Sequence, residues 1–228
     1  MSAPQTAGTV FSRWLSAEVT PFLRESGWTR EGHVFVRAAG ANAGLIAFRK
    51  WKWYNAAVCR FWVEAGVFSP RLAAVEAALL GVPIPERPTL LTGAVLSRLS
   101  SLMGEHEDVA WTIRQNSLAF ELEALGVSVR DELERLVLPF VADHLTDEAI
   151  RDEMLARLDG LGRLGLVRLR GLVEDLGPAD RLADIDTEFA REDARRAAER
   201  ADYERAWEAS EAADVAAADA AMRSAARD

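Results

Sequence analysis

From Val58 to Phe68 the chain alternates two kinds of side chain. Cys59, Phe61, Val63, Ala65 and Val67 take one set of positions, and Arg60, Trp62, Glu64 and Gly66 take the other. A period of two belongs to a β-strand with one face on a core and one face turned away. A single strand is not stable in water, so the segment demands partners in a sheet. Residues 33–38 and 43–53 are the nearest candidates. Gly40-Ala41-Asn42 and Asn55-Ala56-Ala57 supply the short connections expected between antiparallel neighbours.

Helical spacing surrounds this sheet. Over 9–26, Phe11, Trp14, Leu15, Val19, Phe22 and Leu23 fall on one side of a helix that Pro21 kinks or splits and Gly27 ends. Ser69-Pro70 opens a helix over 71–80 that is expected to bury Leu72, Val75 and Leu79 and to stop at Gly81. Pro83, Pro85 and Pro88 then predict an extended loop. Leu91, Val95, Leu99 and Leu102 suit a helix, while Val109, Trp111 and Ile113 alternate as a strand does. Leu118, Phe120 and Leu122 also alternate, but Glu121 and Glu123 suit a helix, and both readings stay open. Ser128 with Asp131 resembles an N-cap before Leu133, Leu136, Val137, Phe140 and Val141. Thr146 caps a helix carrying Ile150, Met154, Leu155 and Leu158, and a third helix over 161–176 ends at Gly177-Pro178.

Beyond Pro178 the composition changes. Residues 180–228 hold fourteen acidic and eight arginine side chains among many alanines, with only Leu182, Ile185, Phe189, Tyr203 and Trp207 as scattered anchors. Helix propensity is high, and acid–arginine spacings such as Glu192 to Arg196 reinforce it. One long helix or a helical hairpin follows. The expected fold is α+β: a curved antiparallel sheet of three to five strands packed by helices over 1–158, then a helical extension over 159–228.

Composition excludes several functions. A net charge of -9 disfavours general affinity for nucleic-acid backbone or anionic membrane. The single cysteine, Cys59, allows neither an internal disulfide nor a cysteine-rich zinc site, and its place in the alternation marks it as a core residue. No basic-then-apolar start and no apolar run of membrane-spanning length occur, which makes a cytoplasmic location the expectation. No nucleophile elbow, Walker loop or dinucleotide fingerprint is present; Gly160, Gly162 and Gly165 follow a helix and read as a helix junction. His33 begins a strand. His106 lies in a charged loop, and His144 is placed to complete a helix terminus. Asp184 and Asp186 belong to a salt-laced helix. No catalytic residue, metal or cofactor is expected.

Unusual chemistry is concentrated in one segment, Leu45 to Tyr54. Lys50 and Lys52 are the only lysines, set among 25 arginines, a usage that points to a GC-rich coding genome. Trp51, Trp53 and Trp62 lie in or just after it, and residues 28–62 carry Arg30, Arg37, Arg49, Lys50, Lys52 and Arg60 against Glu31 alone. The candidate binding residues are therefore Arg49, Lys50, Trp51, Lys52, Trp53, Arg60 and Trp62. Cations interleaved with indoles suit a single-strand platform or an acidic protein partner, and equally a half-exposed sheet whose lysines discourage edge pairing. Alternation sends the lysines and the tryptophans to opposite faces, so Arg49 with Trp51 and Trp53 forms the more coherent set.

The stretch from Phe11 to Gly27-Trp28, then Gly32-His33-Val34-Phe35-Val36-Arg37, Trp53-Tyr54-Asn55 and Arg60 to Phe68 resembles the bacterial family known as domain of unknown function 4304. Trp111 and the helices to about residue 158 continue the resemblance more loosely. It implies a compact α+β fold with a curved antiparallel sheet and no established activity. Arg49 and Trp51 depart from the family pattern, which has Gln and a small polar residue there. The functional expectation is a non-enzymatic interaction or regulatory protein, immunity- or antitoxin-like in one form. The alternative is a binder of an anionic ligand or single-stranded nucleic acid through 49–53. Oligomeric state is left open.

Overall fold

The computed structural model describes residues 6–51, 55–84, 87–88, 95–104 and 109–225. Lys52, Trp53, Tyr54, Pro85, Leu91 and His106 lie outside the described residues, and the expectations attached to them go no further.

The chain forms an α+β fold on an open antiparallel sheet. Its strands are β1 (Thr29–Glu31), β2 (Val34–Ala39), β3 (Asn42–Lys50), β4 (Val58–Phe68), β5 (Val95–Arg98) and β6 (Trp111–Arg114). They run in the order β1-β2-β3-β4-β5, and β6 also pairs with β4. β4 is the hub. One edge pairs with β3, Arg49 opposite Trp62; the other carries β5 against Glu64–Val67 and β6 against Val58–Phe61, end to end. β1 and β5 were not foreseen. Leu91, Val95, Leu99 and Leu102 have helical spacing, but Val95–Arg98 is a strand and only Leu99–Leu102 turns into the short helix α4. The unpaired edge of β4 outweighs that spacing, since its backbone groups need partners.

Nine α-helices occur among the described residues. α1 (Ala7–Trp14) and α2 (Thr20–Glu25) form one rod interrupted by a π turn over Leu15–Val19. The same device recurs where α5 (Ala119–Glu132) passes through a π turn at Leu133–Val137 into α6 (Leu138–Asp143). Each π turn stops two residues before a proline, Pro21 or Pro139. A proline removes an amide donor and crowds the carbonyl of the preceding turn, and a widened turn accommodates it. Thr20 also donates its hydroxyl to the Leu15 carbonyl at 2.8 Å.

The open question at Leu118–Leu122 resolves as helix: the Glu121 carboxylate accepts the Leu118 backbone N–H at 2.9 Å and opens α5. Ser128 is therefore interior to α5 and caps nothing. α3 (Pro70–Leu80) starts at Ser69 and ends at left-handed Gly81. It buries Leu72, with Val75 half-buried, but Leu79 is exposed because burial along α3 stops at Ala77. α7 (Asp147–Ala156) is capped by Thr146, whose hydroxyl accepts from the Ala149 N–H. α8 (Arg163–Leu176) ends at Gly177, and α9 runs unbroken from Leu182 to Ala225, one helix and not a hairpin.

The main core lies on the sheet face that carries Phe35, Ile46, Phe48, Cys59, Phe61, Val63, Ala65, Val67 and Ile113, all buried. Phe61 is its aromatic centre, 4.9 Å from the Phe11 ring, 5.2 Å from Trp14 and stacked on Trp111 at 5.6 Å. Trp14 ties α1 to α5 by donating its indole N–H to the Leu122 carbonyl at 2.9 Å. Leu169, Leu172 and Val173 of α8 and Ile185 of α9 join this same core. The helical part is thus continuous with the α+β body up to the first turns of α9. No helix among the described residues is long and apolar enough to cross a membrane.

Candidate functional site

The opposite face of the sheet changes character along its strands. At one end Ala43, Leu45, Ala47, Phe68 and Ala73 form a small apolar cluster edged by Val34 and Val36. Past Ala47, β3 continues with Arg49, Trp51 follows just beyond its end, and β4 brings Arg60, Trp62 and Glu64 alongside. The pairing of Arg49 with Trp62, and the hydrogen bond from the Trp51 N–H to the Arg60 carbonyl at 2.8 Å, fix these residues on one face.

Their side chains order one another. Trp51 and Trp62 meet edge to face at 5.9 Å and 78°. The Arg60 guanidinium sits 5.6 Å from the Trp51 ring, and Arg98 sits 5.9 Å from the Trp62 ring. Glu64, largely buried, accepts the Trp62 indole N–H at 2.8 Å and pairs with Arg49 at 3.3 Å and Arg98 at 3.9 Å. Arg49, Glu64 and Arg98 line one side of an open groove of about 480 Å³ that Arg157 also borders. Trp51 is 38% exposed, so its indole remains accessible although one ring face is covered.

Lys50 belongs to the other side of the sheet. Its ammonium lies 5.8 Å from the Phe11 ring, near His33, which meets Phe11 edge-on at 5.2 Å. Burial, then the Lys50 and Arg30 charges, hold the His33 imidazole below its ordinary pKa. Burial likewise pushes the Cys59 thiol up, outweighing the nearby Lys50 charge. An open groove of about 710 Å³ at this end of β3 is lined by His33, Arg49, Lys50, Trp51 and Trp62, with no acidic residue in its lining among the described residues.

Of the seven candidates, the fold brings Arg49, Trp51, Arg60 and Trp62 onto one face of the sheet and puts Lys50 on the other, where it borders the groove at the end of β3 with Arg49, Trp51 and Trp62; Lys52 and Trp53 lie outside the described residues. Sequence reasoning missed Arg98 and the organising role of Glu64. Arg98 sits on a four-residue strand within a stretch of helical spacing, and only the pairing of β5 with β4 reveals it. His144 caps α6 and its ring Nδ1–H donates to the Phe140 carbonyl at 2.6 Å. Asp184 and Asp186 are taken up by Arg181 and Arg170. Among the described residues no three His, Cys, Asp or Glu side chains converge as metal ligands would.

Comparison with known proteins finds no family model, no curated protein and no solved structure that matches the chain. The resemblance to domain of unknown function 4304 therefore remains an expectation.

Proposed function

We propose that the chain is a non-enzymatic protein-interaction module with two contact surfaces, the cationic indole face of the sheet and the acidic distal part of α9. The observation that carries this reading is the set Arg49, Trp51, Arg60, Trp62 and Arg98 ordered around Glu64. Trp and Arg dominate interface hot spots because they combine large apolar area with fixed donors. The guanidiniums cover the indole planes on which bases would stack, which favours a protein partner over single-stranded nucleic acid. An immunity- or antitoxin-like role is one form of this reading.

A photo-crosslinking residue at Leu96, exposed in the groove on the same face as Arg98, tests it in cells. The expected product is a protein adduct through a net-acidic peptide, lost with Arg49→Glu and Arg60→Glu. A nucleic-acid adduct, or none, would reject it. The groove at His33, Arg49 and Lys50, with no acid in its lining among the described residues, favours an anionic ligand as the second reading. Binding of single-stranded DNA that weakens with salt and is lost with Lys50→Gln would establish that one instead.

A further inference from the structure

We propose that the occupant of the cationic sheet face is the distal part of α9 from a second copy of this chain. The proposal rests on the reading of that face as a protein-binding surface. α9 is anchored on the body by buried Ile185 and Glu192, with Leu182 and Phe189 half-buried. From Asp202 to Ala213 every side chain is exposed. Tyr203 and Trp207, one turn apart, stack at 6.5 Å and 27° while 67% and 62% exposed. Glu204 and Glu208 flank them on the same side of the helix. Two large rings held open to water beside carboxylates form an amphipathic surface that no described residue covers.

Charge selects the partner. Between Asp202 and Asp219 the acids Asp202, Glu204, Glu208, Glu211, Asp214 and Asp219 face Arg205 as the only base. Two such helices side by side would repel, so pairing of α9 with α9 is disfavoured. The complementary surface needs guanidiniums and aromatic area, and the sheet face offers Arg49, Arg60 and Arg98 against Glu64, with Trp51 and Trp62. In this structure the same copy does not provide it, since Tyr203 and Trp207 are 67% and 62% exposed. Trp207 lies 15 residues beyond Glu192, roughly 22 Å along a helix rising 1.5 Å per residue. No glycine or proline between 182 and 225 would let that helix fold back.

Buried aromatic side chains cover about 150–250 Å² each. Reciprocal docking across a twofold axis doubles every contact, so Tyr203 and Trp207 together account for up to about 600–1,000 Å², and the flanking charged side chains must supply the rest of the about 1,200–2,000 Å² typical of specific interfaces.

Sedimentation velocity of the full chain over a concentration series, at low and high salt, tests the proposal. The expected result is reversible self-association that weakens as salt rises. Glu204→Arg with Glu208→Arg, and separately Arg49→Glu with Arg60→Glu, should each reduce it at least tenfold. All four positions are on the surface, and circular dichroism confirms that each variant is folded. Mixing the two variants restores opposite charges at both contacts and should recover a heterodimer. A chain that stays monomeric throughout, or associates regardless of both reversals, overturns the proposal. If a monomeric chain still crosslinks another protein at Leu96, the inference falls and the reading of the face stands. If that crosslink also fails, the reading falls with it.

Discussion

His33 is packed edge-on against Phe11, with Lys50 and Arg30 close enough to oppose its protonation. Burial is the larger cause of its lowered pKa, and the two cations add to it. The unfolded chain protonates this imidazole near pH ~6.5, whereas the folded chain does so only at lower pH. Denatured molecules therefore bind more protons below that point, and stability falls as pH drops through ~6.5 toward the folded value. Urea midpoints measured from pH 7.5 to 5 should decline with acid in the native protein and less steeply in His33→Gln. Parallel profiles would show that His33 does not contribute. Cys59 and Lys50 belong to the same neighbourhood, and the alternation that placed Cys59 in the core was fully legible in the sequence. The contact of Lys50 with Phe11 was not, because a strand period assigns a face but not a neighbour across the core.

Among the elements, α7 is fixed to the sheet at its first turn. Asp147 accepts from Asn42 at 3.1 Å and Ser69 at 2.8 Å, and pairs with Arg71 at 3.0 Å. One carboxylate thus joins the start of β3, the start of α3 and the N-terminus of α7, where negative charge also suits the helix dipole. Asp147→Ala should lose about 2–4 kcal/mol in chemical denaturation, since Asn42 and Ser69 are buried and keep their polar atoms. A loss within 0.5 kcal/mol would mean that water replaces the carboxylate. The sequence predicted the Thr146 cap from local chemistry, but not this junction, whose members are 78 and 105 residues from Asp147. β5 was hidden for a similar reason: four residues have too little pattern of their own, and β4 decides their conformation.

For the molecule as a whole, the described part of α9 is exposed well beyond its anchor on the body. The last buried residue described is Glu192, and the chain from Asp202 to Ala213 is exposed. Removing residues 202–228 should therefore leave the unfolding free energy of the body within about 0.5 kcal/mol, measured on dilute protein at high salt, where association is suppressed. A larger loss would place the distal helix against the body. The sequence by itself determined the fold class, the core strand β4, the helical nature of residues 180–225 and the division of Lys50 from Trp51, because periodicity and propensity are local properties of the chain. Only the tertiary structure decided that β4 carries β5 and β6 on one edge, that Glu64 gathers Arg49, Trp62 and Arg98, and that Tyr203 and Trp207 stand uncovered. Those outcomes depend on which distant surfaces satisfy backbone groups, charges and apolar area, and no local period encodes that choice.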